Sequence, residues 1–314
     1  MKINIFSLFL LLIPLSVSGQ ESETVYNFLR LPVSAHAGAL GGENITLIED
    51  DASLIFSNPA LLSSVSGKSV GLNYMNYMSG VNSGSASYCL ALNDKASVGA
   101  GVQYIGYGSI KETDADNNIT GEFSPKDIAL NVYFSYMLSE RISGGIAAKC
   151  INSYIGDYHS LGMCVDLGLN YFDPEREWSV SAVARNLGGQ LSAYDDEYES
   201  LPFDLQAGVS KRLIGSPLRI SATLTDLTHW DYKFIDHLVA GVDLLLSSQI
   251  WVGAGYNFRR SNEMTILSGD SESSHGAGLC LGAGIELERF GLNLAYGKYH
   301  VSSSSILVNF SFKI

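Results

Sequence analysis

Long apolar runs are missing from this 314-residue chain once its first two dozen positions are passed. Nothing beyond Leu15 approaches the roughly 20 consecutive apolar residues that a membrane-spanning helix needs. Positive charge is scarce as well: 19 Lys and Arg stand against 32 Asp and Glu, a formal net charge of −13. A chain this acidic is a poor ligand for nucleic acid, whose phosphates demand Lys and Arg. Cysteine is sparse. Cys89, Cys150, Cys164 and Cys280 lie far apart and form no Cys-x-x-Cys pair, so no disulfide framework is expected and they read as small strand fillers.

Catalytic and cofactor motifs are missing too. Gly67-Lys68-Ser69 looks like the tail of a phosphate-binding loop, but the first glycine of that loop would fall on Leu62. Gly99-Ala100-Gly101 lacks the third glycine of a dinucleotide loop, since that place is Tyr104, and no helix follows. His36, His159, His229, His237, His275 and His300 are scattered, without the i, i+4 spacing or Cys partners of a zinc site. They are expected to be solvated loop residues. Gly67-Lys68-Ser69-Val70-Gly71 matches G-x-S-x-G, yet an irregular segment precedes the serine and a strand candidate follows it. A nucleophile elbow needs a strand before and a helix after. No enzyme, metal or cofactor is expected.

What is present is alternation. In the last ten residues Ile306, Val308, Phe310, Phe312 and Ile314 share one face. Ser305, Leu307, Asn309, Ser311 and Lys313 share the other, with Leu307 its only apolar member. Side chains of a strand repeat every two residues, so this is an amphipathic strand. The pattern recurs back to Ser69 in about fourteen segments. Ile128, Leu130, Val132, Phe134, Tyr136 and Leu138 form one case, and Leu161, Met163, Val165, Leu167, Leu169 and Tyr171 another. Val98 to Tyr104 and Leu279 to Leu287 repeat it.

The chain is 46% hydrophobic and 16% charged. Such apolarity without helical spans predicts an all-β, antiparallel transmembrane barrel of the outer membrane. A large β-sandwich would alternate similarly. The connections separate the two. Those at 108–125, 187–201 and 260–276 are long, and those at Asn93-Asp94-Lys95, Ser139-Glu140, Ser247-Ser248 and Arg289-Phe290 are short. In chain order the long ones fall on one rim and the short ones on the other, as a barrel with outer loops and inner turns requires. Gly99, Gly101, Gly282 and Gly284 lie opposite the apolar faces of their strands and would leave room inside the barrel, or simply let the strands curve.

The N-terminus reads as a secretion signal over residues 1–19. Lys2 precedes an apolar stretch from Ile3 to Leu15, and Val17-Ser18-Gly19 stands before a cut at Gln20. Residues 20–68 carry turn residues without long alternation and are expected to form a plug or hatch segment, with the barrel over 69–314.

The expected outer loops supply the candidate binding residues. Asp195, Asp196, Glu197 and Glu199 form an acidic run, joined on the same rim by Asp114, Asp116, Asp270 and Glu272. Such a rim is solvated, bridged by divalent cations to anionic lipopolysaccharide, or docked by a basic partner. A second loop, His229 to Phe234, offers Trp230, Tyr232 and Phe234, residue types at home in a protein interface or at a lipid–water boundary.

The most specific stretch runs from Phe28 to Leu62. It reads Leu31-Pro32-Val33-Ser34-Ala35, passes Gly41-Gly42, and ends in Asp50-Asp51-Ala52 and Asn58-Pro59-Ala60-Leu61-Leu62. This resembles the start of the PorV/PorQ family of outer-membrane proteins, on its PorQ side. The family is related to the long-chain fatty-acid transporter (FadL-like) barrels, which share the Asn-Pro-Ala element. The resemblance implies a fourteen-stranded barrel plugged by its N-terminal segment, with Asp51, Asn58, Pro59 and Ala60 in the plug motif. It implies a place in the type IX secretion system of Bacteroidota, within the cell-surface attachment complex with the sortase PorU, the shuttle PorV and the surface protein PorZ. There PorQ is thought to hold PorZ at a membrane rich in lipopolysaccharide. The alternative is a transporter of hydrophobic small molecules such as fatty acids, which needs an apolar pocket between plug and barrel and a lateral opening.

Overall fold

The computed structural model describes residues 24–314 except 79, 115, 117, 265, 269, 270, 274, 275, 301 and 302. The expected leader, 1–19, and residues 20–23 lie outside that set. The strands are β1 (Lys68–Met78), β2 (Val81–Ala91), β3 (Ala96–Gly106), β4 (Ile110–Thr113), β5 (Ile119–Phe123), β6 (Lys126–Met137), β7 (Ile142–Ile155), β8 (Tyr158–Asp173) and β9 (Trp178–Ser192). Then follow β10 (Asp204–Arg212), β11 (Leu218–Leu224), β12 (Leu238–Leu245), β13 (Ile250–Asn257), β14 (Ile266–Ser268), β15 (Ser271–Ser273), β16 (Leu279–Glu286), β17 (Phe290–His300) and β18 (Ser303–Lys313).

Fourteen of them close into one barrel in the order β1-β18-β17-β16-β13-β12-β11-β10-β9-β8-β7-β6-β3-β2. β18 closes it against β1 in antiparallel register, from Ser69 opposite Lys313 to Asn76 opposite Ile306. The two remaining pairs, β4–β5 and β14–β15, are small hairpins within loops.

The alternation becomes an inside-out pleat. Leu130, Val132, Phe134 and Tyr136 are exposed on the outer wall, while Asn131 and Ser135 between them are buried in the lumen. Ile306 and Phe310 likewise face out, and Ser305, Asn309 and Ser311 face in. Apolar outside and polar inside is the pattern a bilayer selects, because lipid offers no partner for polar side chains.

All turns at one rim are short: 92–95, 138–141, 174–177, 213–217, 246–249 and 287–289. The long connections, 107–125, 193–203, 225–237 and 258–278, share the opposite rim. Two boundaries differ from the sequence expectation. β9 runs on to Ser192, so 187–192 is strand rather than loop. Asn186 takes a left-handed backbone (φ 57°) where the β8–β9 register shifts between Val165 and Leu167. That bulge, followed by Gly188-Gly189, breaks the alternation that would have marked the strand. The connection at 260–276 is not irregular throughout, since it holds helix α2 (Phe258–Glu263) and the β14–β15 hairpin.

Residues 24–65 run through the lumen from the long-loop rim, where Thr24 bridges Ser200, to the start of β1. They form helix α1 (Ala35–Ala39) and 3₁₀ turns at Asn27–Arg30, Ala52–Phe56 and Pro59–Ser64. Helix α1 and the turns at Ala52–Phe56 and Pro59–Ser64 each start on a side-chain cap. Ser34 accepts from the Ala37 N–H, Asp51 from Ser53 and Asn58 from Ala60. Pro59 follows directly, where its missing N–H costs nothing. Leu29, Leu40, Ile45, Leu47, Leu54, Ile55, Leu61 and Leu62 from this segment are all fully buried. Each such side chain contributes roughly 1.5–3 kcal/mol by leaving water. α1 packs on β13, β16, β17 and β18, and Pro59–Ser64 packs on β3, β6, β7 and β8. The segment therefore touches the wall on opposite sides.

Candidate functional site: the lumen segment and the outer rim

Small wall residues admit the segment. A Cβ at Gly145 would fall on the Pro59 carbonyl carbon and the Ala60 nitrogen, and one at Gly255 on the Leu40–Gly41 peptide. Gly101 gives the same room to the Phe56 ring and Gly282 to Ala39. Of the inward glycines expected to leave room, Gly99, Gly101 and Gly282 face the segment, while Gly284 faces the wall residues Asn293 and Trp251.

The expected motif residues hold that contact. Asp51 Oδ1 accepts from the Ser53 N–H at 2.8 Å and Oδ2 from its hydroxyl at 2.7 Å. Asn58 Oδ1 accepts from the Ala60 N–H at 2.9 Å, while Asn58 Nδ2 donates to the Ile45 carbonyl at 3.1 Å. These residues are structural: they fold the segment and seat Pro59-Ala60 on Gly145.

A charged latch, which no sequence motif announces, fastens the segment to the wall. His36 Nδ1 donates to Glu49 Oε2 at 2.8 Å, and His36 Nε2 to Asp243 Oδ1 at 2.9 Å. Arg219 joins the same two carboxylates, reaching Glu49 Oε1 at 2.7 Å and Asp243 Oδ2 at 2.8 Å. Two cations and two anions balance. The His36 ring lies flat on Trp251, centroids 3.5 Å apart. Both ring nitrogens face carboxylates, so both carry hydrogen. Burial alone would lower the His36 pKa, but Glu49 and Asp243 outweigh it and raise it to about 9. The expectation that the histidines are solvated is therefore wrong for His36 and for His237, each 1% exposed.

Further ties run along the segment. Arg185 reaches Glu43 at 3.2 Å and the Leu29 carbonyl at 2.9 Å. Arg260 of α2 donates to the Gly41 carbonyl at 2.8 Å, its guanidinium 3.9 Å from the centre of the Tyr299 ring. Within the wall, Lys149 meets Asp166 at 2.6 Å beside the Asn186 bulge.

One cavity under Phe28, Pro32 and Asn73 and another between Arg30 and Arg185 hold about 10 Å³ each. That is room for about one water molecule. β3 pairs without a register break along β2 and β6.

At the rim, Asp195, Asp196, Glu197 and Glu199 are all exposed on the 193–203 loop. Asp114 and Asp116 are exposed at the tip of the β4–β5 hairpin. Asp270 and the side chains of Glu272 and His275 lie outside the described residues. Trp230 and Phe234 are each 64% exposed on the 225–237 loop. Tyr232 is different. It is half-buried, with its ring 4.3 Å from the Arg259 guanidinium, and it belongs to the loop's own scaffold. The acidic and aromatic candidates therefore occupy separate loops. Among the described residues no group of three or more His, Cys, Asp or Glu is placed to hold a metal ion, and all four cysteines are free.

Residues 19–159 match the family described as "Type IX secretion system protein PorV". The stretch covers the lumen segment and the barrel through β7. No curated protein sequence matches the chain. Solved structures share its fold. The toluene transporter TodX of Pseudomonas putida has 14% identity and a TM-score of 0.56, covering 90% of this chain and 97% of that one. The monoaromatic hydrocarbon channel CymD gives 13% identity and 0.56, covering 90% and 97%. A FadL homologue of Pseudomonas aeruginosa gives 11% identity and 0.52, covering 90% and 98%. The chain shares the barrel fold of these proteins, and its N-terminal part matches the PorV family model.

Proposed function

We propose that this barrel is a non-enzymatic outer-membrane component of type IX secretion that holds a surface protein of the attachment complex, of the PorZ kind, at the cell surface. It sits on the PorQ side of its family, and PorU and PorV are its neighbours in that complex. The family match over the lumen segment carries the assignment to the secretion system. The lumen segment supports anchoring over transport, because Leu29, Leu40, Ile45, Leu54 and Leu61 are buried inside the barrel where a transporter needs an open apolar path. The exposed acidic run Asp195, Asp196, Glu197 and Glu199 is the natural contact for a basic partner surface, which it would also steer over distance.

The second reading, transport of hydrophobic small molecules, rests on the shared fold with a toluene transporter and a FadL homologue. Gentle detergent extraction and purification separates the two. A stoichiometric surface protein in the purified material supports the anchor. A bound lipid or hydrocarbon with no protein partner overturns it in favour of transport.

A further inference from the structure

The barrel wall has two heights. β6, β7, β8 and β9 have 12, 14, 16 and 15 residues. Beyond the nine-residue β10, the strands β11, β12, β13 and β16 have 7, 8, 8 and 8. A strand tilted in a bilayer needs about 9–11 residues to cross it, so the short wall lacks about two per strand.

The shortfall lies at the long-loop rim. At the other rim, exposed apolar residues stand in the short turns: Leu138 below the taller wall, and Ile214, Leu246 and Leu287 below the shorter one. At the long-loop rim β9 runs on to Ser192, past Arg185, the last of its residues to pair with β10. Directly above β11 and β12 stands the 225–237 loop, with Trp230 and Phe234 64% exposed and Ile235 40% exposed. The outward faces of the strands next to it carry exposed Ile220, Val242 and Val252. Above the tall wall stands the acidic 193–203 loop instead.

The aromatic loop is also fixed in place. Thr225 N–H donates to the His237 carbonyl at 2.9 Å and Leu227 N–H to the Leu205 carbonyl at 3.0 Å. Arg259 binds Asp226 and carries the Tyr232 ring. A loop free to bury Trp230 and Phe234 against the barrel would do so; this one displays them.

We infer that the 225–237 loop lies in the outer-leaflet interface, where Trp230, Phe234 and Ile235 complete the apolar band over the short wall. Trp is at home at that depth, and flanking residues are one way a short span meets a thicker bilayer. The occupant of this patch is lipid, and protein docking falls to the acidic loops of the tall side. The inference rests on the membrane placement of the barrel and not on the identity of a partner.

Tryptophan depth tests it. The whole protein is reconstituted in phosphatidylcholine vesicles with or without bromine on the acyl chains, and Trp230→Phe is compared with wild type. Their difference isolates Trp230 from Trp178 and Trp251. The emission of Trp230 is expected to be lost in brominated vesicles and spared by aqueous acrylamide. A second variant, Phe234→Trp in the Trp230→Phe background, should regain the lipid-quenched emission. Quenching of both positions by acrylamide and not by brominated lipid overturns the inference and returns the loop to water, free for a protein. That result would leave the anchoring proposal standing.

Discussion

His36 lies face to face on Trp251, ring centroids 3.5 Å apart and planes 3° from parallel. The stack places one residue of the lumen segment against the wall and aims its two nitrogens at Glu49 and Asp243. Trp251 is held in turn by its own N–H, which donates to Asn293 Oδ1 at 3.0 Å. Removing one cation from a buried, balanced set leaves an unpaired anion, which costs about 3–5 kcal/mol. His36→Ala should lower the urea midpoint of the folded barrel accordingly, read by electrophoretic mobility without heating. Adding Asp243→Asn to that variant should cost less than the sum of the two single changes, since it removes the orphaned charge. Full additivity would mean the latch is not one unit.

The same contact makes stability depend on pH. Folded His36 is raised to about 9 from an ordinary 6.5. Its contribution is therefore complete below about pH 6.5 and is lost as pH rises through about 9. The wild-type midpoint should fall across that window. His36→Gln should start lower and fall less. Parallel curves for the two proteins would contradict the assignment.

Gly145 tests the seat of the Asn58-Pro59-Ala60 turn. No methyl group fits there without displacing the lumen segment backbone. Gly145→Ala should destabilise by about 1–3 kcal/mol or more, as overpacking does. Gly189→Ala, at a position with open space around it, should be near neutral. Equal midpoints for the two would show that the segment does not press on β7.

The acidic loop should affect binding and not folding. Neutralising Asp195, Asp196, Glu197 and Glu199 together to Asn or Gln should weaken capture of the surface partner and flatten its dependence on salt, since exposed charges are screened. The barrel's unfolding midpoint should not move. Unchanged capture would place the docking surface elsewhere on the rim.

The barrel was legible because its rule is local. Leu130, Val132 and Phe134 repeat every second residue, and a bilayer needs nothing more. The last strand fits the same rule, with Ser305, Asn309 and Ser311 turned inward and Ile306 and Phe310 outward. What was not legible is non-local. His36 finds Asp243 across 207 positions of sequence and Arg219 finds Glu49 across 170, so no spacing could announce the latch. The end of β9 was hidden for a local reason, a left-handed Asn186 followed by two glycines that carry no side chain to alternate. Of the candidate rim residues, Tyr232 read as a free aromatic because its partner Arg259 lies in another loop.

Deleting the gene and locating the surface protein tests the central claim most directly. The account predicts that the partner leaves the cell surface and collects in the medium, and that the wild-type gene restores it. A partner that stays on the deleted cells at its wild-type level would contradict the account.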